Sequence, residues 1–373
     1  MTTTGADRTL ALLEAQVGRP LAEVETPVPV IDLDRLEANL ADLQSYADTQ
    51  RIALWPHTKT HKSPKIGRRQ LELGAAGLTV AKTGEAQVFQ EAGAPRILVH
   101  YPPFGDAKWE RLADIAAAGV ELTVAVDSVA AAEGLASTFH RRGLGAELLV
   151  ELDVGMHRTG QTTSGALAVA AQIAKLPALE VAGISCYPGH CRSGDPELAH
   201  KLQAADELLR ETRDAFERSG HRSDRISGGS TPTRHLTHTT CVNELRAGTY
   251  ALLDRNESDD ERCALWIEAT VISDSVRDQV VVDGGSKTFT SDPFPGGGHG
   301  SVVGLPDAGF VRMNEEHGYI DVSALDERPR VGDRLRIVPN HACGCINLHD
   351  GVLAVRDGMV DHVIHITGRG LIR

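Results

Sequence analysis

From residue 26 to about 255, short runs of β-branched and other apolar residues alternate with alanine-rich segments whose apolar positions recur at helical spacing. A strand buried on both faces reads as a continuous apolar run, and a helix packed on one side keeps a period of about 3.6 residues. The alternation predicts repeated βα units around a parallel sheet. The runs are VPVIDLD (28–34), RIALWPHTK (51–59), GLTVAKT (77–83), RILVHYP (96–102), ELTVAVD (121–127), AELLVELDVG (146–155), EVAGISCYPG (180–189) and DRISGGSTP (224–232). Helical stretches such as LEANLADLQSYADTQ, TGEAQVFQEAG and SGALAVAAQIAKLP lie between them, several closing on Gly or Pro.

Eight such units predict a closed (β/α)8 TIM-type barrel, expected over residues 26–258. Function in that fold concentrates at the C-terminal strand ends, which here read His57-Thr58-Lys59, His100-Tyr101, Asp153-Val154-Gly155, Tyr187-Pro188-Gly189 and Gly228-Gly229-Ser230-Thr231. After about residue 260 the texture changes to alternating strands, CALWIEATVISDSV, QVVVDGGSKTF and DRLRIVPNHACGC, without long helical patterns between them. A second, mostly antiparallel β domain is expected from residues 1–25 together with 259–373.

Composition narrows the function classes. With 41% hydrophobic and 24% charged residues the chain has the make-up of a globular protein, and its length of 373 residues favours two domains. The formal charge of −13 argues against nucleic acid or an anionic membrane as partner. The start, MTTTGADRTLALLEAQVGRP, shows neither a basic leader with an apolar run nor a spanning stretch, so a cytoplasmic location is expected. Six cysteines in so long a chain read as reduced thiols rather than a disulfide framework.

Three clusters can carry chemistry. Lys59 stands just beyond an apolar run, flanked by His57, His61 and Lys62. A desolvated amine among cations has its pKa pushed down, which suits Schiff-base formation; a solvated loop lysine is the plain alternative. The run Gly228-Gly229-Ser230-Thr231-Pro232-Thr233 offers backbone N–H groups and hydroxyls for a phosphate at a helix start, or an ordinary turn. His341 and Cys343, two apart at the end of an expected strand, share one face and suit Zn²⁺ or a similar ion, but two ligands are few, and by themselves they read better as a buried thiol beside a satisfied histidine. His235 and His238 read as a solvated loop, and the Gly- and Pro-rich stretch 291–300, SDPFPGGGHG, predicts mobility more than contact.

Taken together, the segments TPVPVIDLDRLEANL, PHTKTHKSPKI, ELDVGMHRTG, GISCYPGH, SGGSTPT, ELRAGTY, EEHG and PNHACGCINLHDG, in this order from about Thr26 to Arg373, resemble the D-threonine aldolase and D-serine dehydratase family. That family has an alanine-racemase-like fold. The resemblance implies pyridoxal 5'-phosphate bound to Lys59 as a Schiff base, with Gly229, Ser230 and Thr231 as the phosphate cup and Tyr250 near that phosphate. It places Arg158 on the ring-oxygen side of the cofactor and Tyr187 beside the pyridine nitrogen. A neutral phenol there leaves the nitrogen largely unprotonated, which weakens the electron sink and increases the need for a metal. It makes His341 and Cys343 ligands of a divalent ion, Zn²⁺, Mn²⁺ or Mg²⁺.

The implied reaction is metal-assisted cleavage of a D-3-hydroxy amino acid to glycine and an aldehyde. The alternative is a dehydratase forming a 2-oxo acid and ammonia from the same kind of substrate. The His-x-Cys pattern at 341–343 leans toward Zn²⁺ and dehydration, whereas SGGSTPT and ELRAGTY look more like aldolase chains. Ala81 departs from aldolases that place glutamine against the cofactor. A racemase would need a second base, which the sequence does not single out, and a simple cofactor carrier would not need the extra β domain. The resemblance further implies a homodimer.

Overall fold

The computed structural model describes residues 4–373. They form two compact units. One takes the chain up to Leu40 with Thr60–Lys65 and Thr249–Gly370; the other takes Ala41–Lys59, Ile66–Gly248 and Leu371–Arg373. The helix Leu33–Gln50 carries the chain from the first into the second.

The second unit is the expected barrel. Its eight strands are Ala53–Leu54, Leu78–Val80, Arg96–Val99, Glu121–Val126, Ala146–Leu152, Leu179–Cys186, Arg225–Gly228 and Glu244–Leu245. All neighbours pair in parallel. The sheet closes where Ala76 N donates to Leu54 O at 2.8 Å, Thr79 N to Pro56 O at 2.8 Å and Thr58 N to Thr79 O at 2.8 Å. The continuous apolar runs follow from burial on both faces. Ile97, Val99, Val124, Val126, Leu148 and Val150 face the helices, while Trp55, Leu98, Leu149 and Ala182 fill the interior.

The alanine-rich helices owe their composition to close packing on this sheet. Val129–Arg141 buries Ala131, Ala132, Leu135, Ala136 and Phe139. A Cβ on its Gly134 would lie 2.2 Å from the Trp109 ring of the preceding helix, Asp106–Ala117, so only glycine allows this approach.

The first unit carries a nine-stranded sheet, mostly antiparallel, and here the strand reading changes. The run at 28–34 does not enter the barrel: Val28–Asp32 pairs antiparallel with Leu265–Ser273 and parallel with Gly351–Arg356. Four of its five residues are buried, as in a barrel strand, and it leads into a helix, so it is locally indistinguishable from a βα unit. The eighth barrel strand is instead the short pair Glu244–Leu245. The compact unit that holds the barrel comprises Ala41–Lys59, Ile66–Gly248 and Leu371–Arg373. No helix among the described residues is long and apolar enough to cross a membrane. All six cysteines are free thiols.

Candidate active site

The C-terminal strand ends of the barrel bring together three of the expected residues. After strand Ala53–Leu54, His57 N donates to Ala247 O at 2.9 Å, and Thr58 gives both its N–H and its hydroxyl to Thr79 O at 2.8 and 3.1 Å. These bonds fix the backbone that presents Lys59, whose side chain is half-buried. Lys59 Nζ lies 5.4 Å from the centre of the Tyr187 ring, and the Arg158 guanidinium carbon lies 4.8 Å from the same centre. Tyr187 follows strand Leu179–Cys186. Arg158 follows a tight turn in which Asp153 Oδ1 accepts from Gly155 N and His157 N, both at 3.0 Å.

Three further residues belong to this constellation. Arg246 is buried; it donates to Ser227 Oγ at 2.6 Å, to His100 Nε2 at 2.9 Å and to the carbonyl of Cys186. Guanidinium only donates, so His100 accepts at Nε2 and carries its proton on Nδ1. Burial, then the charges of Arg246, His57, Arg158 and Lys59, hold His100 well below the usual histidine range, so it is neutral. Glu151, buried and accepting from Thr159 Oγ1 at 2.9 Å, has its carboxyl pushed up by burial, against the opposing pull of that bond, Arg246 and Arg158. Buried Arg246, half-buried Lys59 and exposed Arg158, with a neutral imidazole among them, suit an anionic ligand. The sequence placed His100 at a strand end and Arg246 in the ELRAGTY segment but assigned neither a role; their pairing spans 146 positions.

Gly229, Ser230 and Thr231 form a separate turn after strand Arg225–Gly228. Gly229 has φ +79°, and a Cβ there would lie 2.5 Å from Leu245 Cδ1, so the turn needs glycine. Ser230 N donates to Thr233 Oγ1 at 3.0 Å, and the Ser230 and Thr233 hydroxyls lie 3.1 Å apart. The turn runs into the 3-10 helix Arg234–Thr239. This compact set of buried hydroxyls over a glycine-only bend fits a phosphate, and the cationic residues around Lys59 fit the rest of an anionic aromatic cofactor. Tyr250 belongs to the other unit, buried in the 3-10 turn Thr249–Ala251. His235 and His238 are packed on Tyr46, whose hydroxyl lies 3.0 Å from His238 Nδ1, and take no part in the site.

The expected metal pair is in the first unit. The strand Arg334–Pro339 stops before it. His341 is still extended, but Ala342–Ile346 is a helical turn, so the pair does not share a strand face as its spacing suggested. The two side chains nevertheless meet. The bond to Cys343, offset by burial and supported by Asp254 and Asp292, pushes His341 up to about 10. Asp292 Oδ2 lies 2.7 Å from His341 Nδ1, and Cys343 Sγ lies 3.2 Å from Thr60 Oγ1 and 3.7 Å from Thr249 Oγ1. Buried Asp254, its carboxyl pushed up to about 8 by burial, accepts from the N–H of Ala342 between the pair at 2.8 Å. Imidazole, thiol and a carboxylate behind the imidazole are a donor set that fits a divalent ion with two protein ligands. Among the described residues no three His, Cys, Asp or Glu side chains gather as a larger metal cluster.

The chain matches two family descriptions, "Alanine racemase, N-terminal domain" over residues 31–255 and "Putative serine dehydratase domain" over residues 264–355. It is 36% identical over 371 residues to a D-threonine aldolase of Arthrobacter sp, covering 96% of each chain. It is 32% identical to a D-threo-3-hydroxyaspartate dehydratase of Delftia sp. (strain HT23), covering 87% of this chain and 92% of that one. The crystal structure of D-threonine aldolase from Filomicrobium marinum superposes with a TM-score of 0.88 at 31% identity, over 96% of this chain and 100% of that one.

Proposed function

Because the chain belongs to the D-threonine aldolase and D-serine dehydratase family of alanine-racemase-like pyridoxal-phosphate lyases, we propose that it cleaves a D-3-hydroxy amino acid to glycine and an aldehyde. In this reading Lys59 holds pyridoxal 5'-phosphate, and His341 and Cys343 hold Zn²⁺ or Mn²⁺. The observation that supports it is geometric: at the barrel's strand ends the Lys59 amine and the Arg158 guanidinium lie 5.4 and 4.8 Å from the centre of the same Tyr187 ring.

When bound, pyridoxal phosphate supplies an electron sink at Cα and the divalent ion supplies a Lewis acid for the 3-hydroxyl. The rest falls to the chain. Gly229, Ser230 and Thr231 would hold the phosphate, and Tyr187 and Arg158 would orient the ring; neutral His100 stays out of the charge balance while it anchors Arg246. The amine of Lys59 is the group placed to carry a proton at Cα.

Cys343 favours a second reading, elimination of water to a 2-oxo acid and ammonia, and the similarity to the Delftia dehydratase supports it. The resemblance also brings a homodimer into the proposal, which light scattering tests. The deciding experiment supplies D-threonine or D-serine with Zn²⁺ or Mn²⁺ and analyses products. Glycine with acetaldehyde supports the aldolase, 2-oxo acid with ammonia replaces it with the dehydratase, and a protein that never turns yellow with pyridoxal phosphate overturns both.

A further inference from the structure

The stretch 291–300 looks like an unattached glycine-rich loop, yet it is tied to the residues before His341 at several points. Asn340, 2% exposed, donates through Nδ2 to Asp292 O and to Gly298 O, each at 2.9 Å. Arg255 donates to Gly297 O at 3.0 Å and lies 4.0 Å over the Phe294 ring. Thr290 is β-branched but sits at φ +75°, a conformation such residues avoid, and its hydroxyl accepts from Asp292 N at 3.0 Å. A Cβ on Gly344 would lie 3.1 Å from Asp292 Oδ2 and 3.0 Å from Thr290 Cγ2, so the helical turn carrying Cys343 leaves space for this carboxylate. Strained backbone, anchored loop and glycine gap converge on the 2.7 Å contact between Asp292 and His341.

We propose that Asp292 is a positioning residue of the metal pair: it accepts the Nδ1 proton of His341 and so leaves the other ring nitrogen as the ligand. The inference rests on the reading of His341 and Cys343 as metal ligands. Carboxylates behind ligating histidines fix tautomer and ring orientation, and their loss weakens metal binding by about 10- to 100-fold. Substituting the side chain leaves the loop in place, because Asn340 holds Asp292 through its backbone carbonyl.

The test is a titration of the metal-free protein with Co²⁺ alone, read by thiolate-to-cobalt absorption. Native protein is expected to bind with a signal lost in Cys343→Ala. Asp292→Ala is expected to weaken binding about 10- to 100-fold. Asp292→Asn, whose amide oxygen still accepts from Nδ1, is expected to weaken it less and serves if the alanine variant fails to fold. Equal Co²⁺ affinity in Asp292→Ala and native protein would overturn the role of Asp292 while leaving the metal reading intact. A native protein with no Cys343-dependent signal would overturn the metal reading and this inference with it.

Discussion

The two groups of candidate residues are built on different kinds of scaffold. Lys59, Arg158, Tyr187, His100 and Arg246 project from neighbouring strand ends of one closed sheet, with Thr58, Ser227 and the carbonyl of Cys186 holding them from below. Cys343 stands on a five-residue helical turn with extended His341 just before it, and their supports come from a loop, Asp292, and from the buried Asp254. A closed barrel over-determines each strand end through two neighbours, so its site is shaped before any ligand arrives. The metal pair depends on a few long-range bonds, and its geometry is expected to yield more to substitution.

The largest effect that could break this contrast is at Lys59. Lys59→Ala is expected to abolish the yellow absorbance and reduce turnover by at least about 10³-fold, with the Co²⁺ signal retained. Loss of metal binding as well would mean that the two groups are not independent.

Next in size, His341→Ala is expected to cost about 10²- to 10⁴-fold in kcat, the several kcal/mol a Lewis acid supplies, while the protein still turns yellow with cofactor. A colourless variant would erase the comparison. Below that lies the scaffold itself: Leu98→Ala, at a fully buried interior position, is expected to lower barrel stability by about 2–5 kcal/mol in denaturant unfolding.

The smallest effect is on pH. His100 has its pKa lowered from 6.5 in the fold, so its neutral form is favoured there and the unfolded chain binds the proton more readily. Its contribution is complete above about pH 6.5 and declines as the pH falls through and below that value. His100→Gln, which can still accept from Arg246, is expected to flatten the loss of stability measured between about pH 6.5 and 5. An unchanged acid limb would show that His100 is not held neutral.

Much of this site was legible because its chemistry is written in short contiguous motifs. PHTK, SGGST and HAC carry Lys59, the hydroxyl turn and the candidate metal pair within a few residues each. Asp292 was not legible: it sits in a stretch whose Gly and Pro content suggests mobility, and the bond that gives it meaning crosses 49 positions. Arg246 and His100 escaped for the same reason.

The sequence by itself determined the barrel and its added β unit, because burial on both faces of a parallel sheet and helical packing leave a local period in the chain. Only the tertiary structure decided that Val28–Asp32 joins Leu265–Ser273 and Gly351–Arg356 rather than the barrel, and that Glu244–Leu245 takes the vacated place. A buried strand looks the same to its own residues in either sheet; which partners it meets depends on contacts hundreds of positions away.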